Sequence, residues 1–188
     1  MVIDLEKCES KYGIIYADPP WSYRDKASAG KRGACYKYPL MTTEDICNLP
    51  VANIADENCA LFLWATMPKL QDAFLVMERW GFSYKTCAFV WVKQNKNDNG
   101  LFMKRNKLFM GMGNYTRANA EICLLGIKGN IKRVDSSVHS VVISPVERHS
   151  KKPDEVRKRI VRLVGDIPRI ELFAREEKDG WDCWGNEV

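Results

Sequence analysis

A chain of 188 residues, 46% of them hydrophobic, is long enough to close one α/β core and too short for two ordinary domains with a linker, so residues 1–188 are read as a single domain. The net charge of +5, with 29 basic residues interleaved among 24 acidic ones, leans mildly towards a polyanionic partner. No apolar run approaches the roughly 20 residues that span a bilayer, which excludes a membrane-spanning role, the start MVIDLEKCESK lacks the apolar stretch of a signal peptide, and seven cysteines without a C-x-x-C pair support neither a metal site nor a disulfide framework. A reducing cytoplasm is the expected setting.

Taken in chain order, strand-like apolar runs fall at 12–17, 60–65, 86–92, 121–127, 141–144 and 169–174. Several are apolar at nearly every position, which predicts strands buried on both faces, as in a parallel sheet. Two helices are predicted between them. The first, 68–80, carries Leu70, Ala73, Phe74 and Met77 on one face and stops at Gly81. The second, 153–164, begins at Pro153, places Asp154 and Glu155 at its positive end, aligns Val156, Ile160, Leu163 and Val164 in a stripe, and ends at Gly165. Strands alternating with helices predict a three-layer, Rossmann-like α/β fold with its ligand site beyond the carboxyl ends of the strands. Polar segments 22–39, 93–119 and 129–140 interrupt the pattern, and the middle one is long and basic enough to be a functional loop.

The chemistry is concentrated where the first strand runs into Asp18-Pro19-Pro20-Trp21. The prolines stop the strand and remove backbone donors, so Asp18 and the neighbouring carbonyls are left as acceptors at the strand's carboxyl end. An adenine amine has two N–H donors and a lone pair delocalised into the ring, so it needs both hydrogens bonded before it attacks well. Asp18 and the Pro19 carbonyl meet that need, and Trp21 offers a stacking face. A duplex target has to be flipped out to reach them. The opposing view is that Asp-Pro-Pro simply ends a strand in a turn and Trp21 covers the core.

With these residues in view the chain resembles the MT-A family of N6-adenine methyltransferases. Asp18-Pro19-Pro20-Trp21 is similar to its catalytic motif, Tyr38-Pro39-x-Met41 to its active-site loop, Leu61 to Trp64 and Trp91 to Lys93 to two core strands, and Glu121 to Gly129 to the strand before the substrate loop. His149 to Glu155 resembles the segment holding the cofactor-gating lysine, here Lys152; Glu171 to Arg175 resembles the cofactor strand, and Trp184 to Glu187 the terminal stretch. The resemblance implies a circularly permuted methyltransferase fold, with the catalytic motif before the cofactor strand, and S-adenosyl-L-methionine as cofactor. It implies that Asp18, Lys152, Glu171, Leu172, Phe173, Arg175, Asn186 and Glu187 bind that cofactor. It also implies that its adenine pocket is either simpler than in larger relatives or built from Met1 to Glu6.

Trp21, Tyr23, Tyr38, Lys93, Lys104, Arg105 and His139 are the candidates for holding nucleic acid, with further basic residues at Lys128, Lys132 and Arg133. DNA is the preferred target of a phage or bacterial enzyme; RNA adenosine and an inactive nucleic-acid-binding subunit are the alternatives. Since 188 residues leave no room for a recognition domain, specificity is expected to be loose or to come from a homodimer or a partner subunit.

Overall fold

A computed structural model of the chain describes every residue except 24–39, 97–107, 112, 114 and 148–150. Its strands are β1 (Tyr12–Ala17), β2 (Ala55–Ala65), β3 (Ser83–Gln94), β4 (Ala120–Lys128), β5 (Val141–Pro145), β6 (Arg169–Leu172) and β7 (Asp182–Trp184). They form one sheet in the order β5-β3-β4-β2-β1-β6-β7. Helices α1 (Thr43–Cys47), α2 (Val51–Ile54), α3 (Leu70–Arg79) and α4 (Asp154–Val164) cover it. Successive residues of a strand point to opposite faces. Ile15, Leu61 and Leu63 therefore pack with Ile46, Ile54 and Val76 from α1, α2 and α3, while Ile14, Tyr16 and Phe62 pack with Val156, Ile160 and Val164 of α4. The three expected layers follow, and every residue of β1 is buried.

The expectation of a parallel sheet needs correcting. β1 is parallel to β2 and β6, β6 to β7, and β3 to β5, but β4 is antiparallel to both β2 and β3. Continuous apolar runs report burial on two faces and carry no information on direction. β3 finishes and β4 starts at the same end of the sheet, with Val92 opposite Ala120, and neighbouring strands placed so pair antiparallel. Beyond them Gln94 is bridged to Leu108, and Gly111 N–H donates to the Ala118 carbonyl at 3.0 Å.

The first predicted helix opens instead as a 3₁₀ turn, Met67–Lys69, because Pro68 occupies its first positions, and becomes α-helical at Leu70. Its buried stripe is Ala73, Val76 and Met77, with Trp80 just beyond; Phe74, expected inside, is exposed and meets the Tyr84 ring edge-on at 5.0 Å. α4 agrees closely with expectation, Pro153 capping it and Gly165 at φ 109° ending it. Sequence reasoning passed over α1 and α2. The signal for α1 was present: Thr42 and Asp45 form a capping box.

Phe62 is fully buried and stacks on Phe89 with ring centroids 6.0 Å apart. Phe62→Ala is expected to cost about 3–5 kcal/mol, read as a lower urea midpoint at unchanged slope. A loss below about 1 kcal/mol would show that this layer is not part of the cooperative core.

Candidate active site

Asp18 leaves the carboxyl end of β1 in the middle of the sheet, and the turn behind it is tightly built. Trp21 N–H donates to the Pro19 carbonyl at 2.9 Å, and Met41 N–H to the Pro20 carbonyl at 2.9 Å. The Pro19 carbonyl is thus not wholly unclaimed, as expected from the sequence, but a carbonyl has two lone pairs and keeps one for a donor. The Trp21 ring is buried to 5% exposure, and its indole N–H donates to the Trp64 carbonyl at 3.2 Å. It therefore serves both readings, covering core and lining a cavity.

Around Asp18 runs a ladder of alternating charges. Lys152 Nζ donates to Asp18 Oδ2 at 2.6 Å and lies 3.2 Å from Glu121 Oε2, whose other oxygen accepts from Lys93. Lys152 also faces the Trp64 ring at 5.5 Å. Burial pushes the Asp18 carboxyl up, with Lys152 opposing. Burial would raise Glu121 too, but Lys152 and Lys93 outweigh it and hold its carboxyl down at about 2. For Lys152, burial is overcome by Asp18 and Glu121, which raise its pKa and keep it charged. Two neighbouring acids thus have pKa values pushed apart, a pattern that separates a proton-accepting group from a permanent anion.

Two cavities meet at this ladder. One, about 330 Å³ including its mouth, is lined by Pro19, Trp21, Tyr23, Trp64, Thr66 and Glu121. The other, about 580 Å³ on the same measure, is lined by Arg157, Glu171, Phe173, Arg175, Glu176 and Glu187. Asp18 and Lys152 line both, and they are the residues the two share. The first accepts a flat ring presenting N–H donors. The second is lined mainly by charged side chains. Its carboxylates suit an ammonium and ribose hydroxyls, and its cations suit a carboxylate, so the donor set fits S-adenosyl-L-methionine. Phe173 ends β6 in the left-handed region at φ 61°, a conformation that costs a non-glycine residue about 1 kcal/mol or more and is found at ligand clamps.

The other expected residues divide. Tyr23 lines the smaller cavity and shares a 2.7 Å hydrogen bond with Thr66 Oγ1. Arg175 and Glu187 line the larger one, 3.5 Å apart, and Asn186 beside them is exposed. Leu172 is fully buried in the core, so its side chain contacts no cofactor. Lys93 is held by Glu121 and lies 4.9 Å over the Trp91 ring, which withdraws it from the phosphate role. His139 is exposed just ahead of β5, where Arg159 donates to its carbonyl at 2.6 Å, and it lines neither cavity. Lys128 lies at the far end of β4, opposite Cys59 and away from Asp18, and donates to the Ala55 carbonyl at 3.1 Å. Tyr38, Lys104 and Arg105 lie outside the described residues. At the other edge, Val2 bridges Cys183 and Ile3 N–H donates to the Cys183 carbonyl at 2.9 Å, so the first residues extend the sheet beside β7. Met1 to Glu6 pair there beside β7 and line neither cavity.

Sequence reasoning missed Glu121 and Arg157 as site residues. Each carried a signal: an acid opening an apolar strand, and an arginine on the apolar stripe of a helix, both of which require buried partners.

The family model described as MT-A70 matches residues 12–187. The type II methyltransferase M.MunI of Mycoplasma sp is 34% identical over 196 residues, covering 95% of this chain and 78% of that protein. The N(6)-adenosine-methyltransferase catalytic subunit METTL3 of Homo sapiens is 26% identical and the MT-A70-like N(6)-adenosine-methyltransferase of Arabidopsis thaliana 27%. The chain spans about a quarter of the length of these two, 28% and 24%.

Because the Glu121 carboxyl lies below its usual 4.5, the stability it contributes is present above that value and is lost as pH falls towards 2. Urea midpoints at pH 5.5 and pH 3 are expected to fall in the native protein and to fall less in Glu121→Gln. An equal fall in both would show that the ladder contributes nothing to folding.

Proposed function

The chain belongs to the MT-A70 family, and on that premise we propose that it methylates the N6 amine of adenine in DNA, using the two cavities that meet at Asp18 and Lys152. Members of the family are S-adenosylmethionine-dependent methyltransferases acting on adenine in nucleic acid. DNA is favoured as the target because the relative covered over most of its length is a type II methyltransferase, whereas the adenosine-modifying relatives are covered over about a quarter of theirs.

The observation that carries the reading is the shared wall. A base seated between Trp21, Tyr23 and Trp64 has its exocyclic amine against Asp18 and the Pro19 carbonyl, and Asp18 also borders the cofactor cavity. The donor, held by Lys152, Glu171, Phe173 and Arg175, supplies an electrophilic methyl group. Asp18 accepts one N–H of the amine and Pro19 the other, which draws the nitrogen lone pair out of the ring. After transfer the nitrogen carries an extra proton, and Asp18, made a stronger base by burial, is placed to receive it. Lys152 bonds one oxygen of Asp18 and leaves the other for the amine hydrogen, and Glu121, 3.2 Å from the same ammonium, gives that buried charge a second acid.

The test is incubation with tritiated S-adenosylmethionine and, in parallel, double-stranded DNA, single-stranded DNA and RNA, followed by digestion to nucleosides. Labelled N6-methyldeoxyadenosine is the expected product; the ribo form alone would move the substrate to RNA, and absence of label from all three, with donor bound, would overturn the catalytic reading. Asp18→Asn is expected to lower turnover by about 100-fold or more, while donor affinity changes by less than about tenfold, or 1.4 kcal/mol.

A further inference from the structure

Arg157 belongs to none of the motifs that carry the resemblance, yet it reaches the cofactor cavity from the first turn of α4. Its Nε and one terminal nitrogen bind the two oxygens of Glu171 side by side, each at 2.6 Å, and its other terminal nitrogen donates to Asp154 Oδ1 at 2.7 Å. The guanidinium lies over the Tyr16 ring with its carbon 5.4 Å from the centroid. Both partners are largely withdrawn from water, at 11% and 9% side-chain exposure. Such a fork fixes the plane of a carboxylate and takes one lone pair from each oxygen. The other lone pairs stay available to the cavity that Glu171 lines.

We propose that Arg157 is a positioning residue for the cofactor, holding Glu171 ionised and in one orientation so that its remaining lone pairs receive donors of S-adenosylmethionine. The inference rests on the reading of Glu171 as a cofactor acid. Its physical ground is the cost of a buried carboxylate. Burial drives Glu171 towards its protonated form, and the Arg157 fork opposes it. A protonated Glu171 turns an acceptor oxygen into an O–H donor facing an ammonium or a hydroxyl hydrogen, and the contact fails. Lysine places a single compact charge where the fork makes two directed bonds, so it holds the plane less well.

The sign is defined. Without the fork Glu171 titrates at higher pH, so donor affinity is lost as pH falls through that range and regained as it rises. The experiment measures the dissociation constant of S-adenosylmethionine by calorimetry between pH 5.5 and 8.5 for the native chain, Arg157→Met, Arg157→Lys, Glu171→Gln and the Arg157→Met/Glu171→Gln double variant, with circular dichroism to establish folding. The native chain is expected to vary little across the range. Arg157→Met is expected to bind at least tenfold more weakly at pH 5.5 and to recover most of that loss by pH 8.5; Arg157→Lys should share the slope in weaker form and is the variant to read if the methionine chain does not fold. The double variant should show no slope. Affinity in Arg157→Met that matches the native chain, or is weakened equally at every pH, would overturn the proposal. Glu171→Gln binding as the native chain does would instead overturn the reading of Glu171 on which it stands.

Discussion

The buried contact between Lys152 and Asp18 joins segments 134 residues apart, and much of the site is organised to make it tolerable. An ammonium and a carboxylate removed from water are costly singly, and together they repay that cost only with close geometry and further partners. Glu121 and Lys93 are those further partners, from the adjoining ends of β4 and β3. The antiparallel run of β4 matters here, because it brings the start of that strand to the end of the sheet where β1 and β3 finish. A parallel β4 would carry Glu121 to the far end, away from Lys152.

On the proposed function, the ladder also lets one end of the sheet serve two ligands with opposite demands. The acceptor base needs a carboxylate with a free oxygen and some basicity; the donor needs a cation for its carboxylate. Asp18 and Lys152 supply these, 2.6 Å apart. Glu171 and Arg157 repeat the arrangement one strand over, with a bidentate fork in place of a mobile ammonium. The contrast is physical: the lysine presents a compact charge on a flexible stem, whereas the planar guanidinium fixes the plane of Glu171 while its remaining nitrogen bonds Asp154.

Several residues that read as nucleic-acid contacts are spent on the protein itself. Lys93 is tied to Glu121, and Lys128 to the Ala55 carbonyl. The 129–140 segment is fastened to the far end of α4, where Arg162 binds Asp135 at 2.6 Å and Val134 N–H donates to the Leu163 carbonyl at 2.8 Å. Positive charge in a polar segment is weak evidence of a phosphate contact when a carboxylate or carbonyl is within reach. Lys69, unremarked in the sequence, instead lies 5.9 Å over the Tyr23 ring at the acceptor cavity while bonded to Asp72 at 2.7 Å.

What the sequence determined by itself is local. The apolar runs marked six of the seven strands, the Pro153 and Gly165 boundaries and the apolar stripe marked α4, and the abrupt end of β1 at Asp18-Pro19-Pro20-Trp21 marked the reacting centre, because each depends on neighbours a few residues away. β7, three residues long, and the short helices α1 and α2 had too little periodicity to show. Tertiary structure decided which charges face one another. Whether Lys93 meets phosphate or Glu121, whether Lys128 lies at the Asp18 end of the sheet or the other, and whether Glu171 faces the cavity alone or in the fork of Arg157 depend on strand order, strand direction and the face a helix presents. Those are properties of the packed sheet, and a one-residue change of register turns every side chain of a strand to the opposite face.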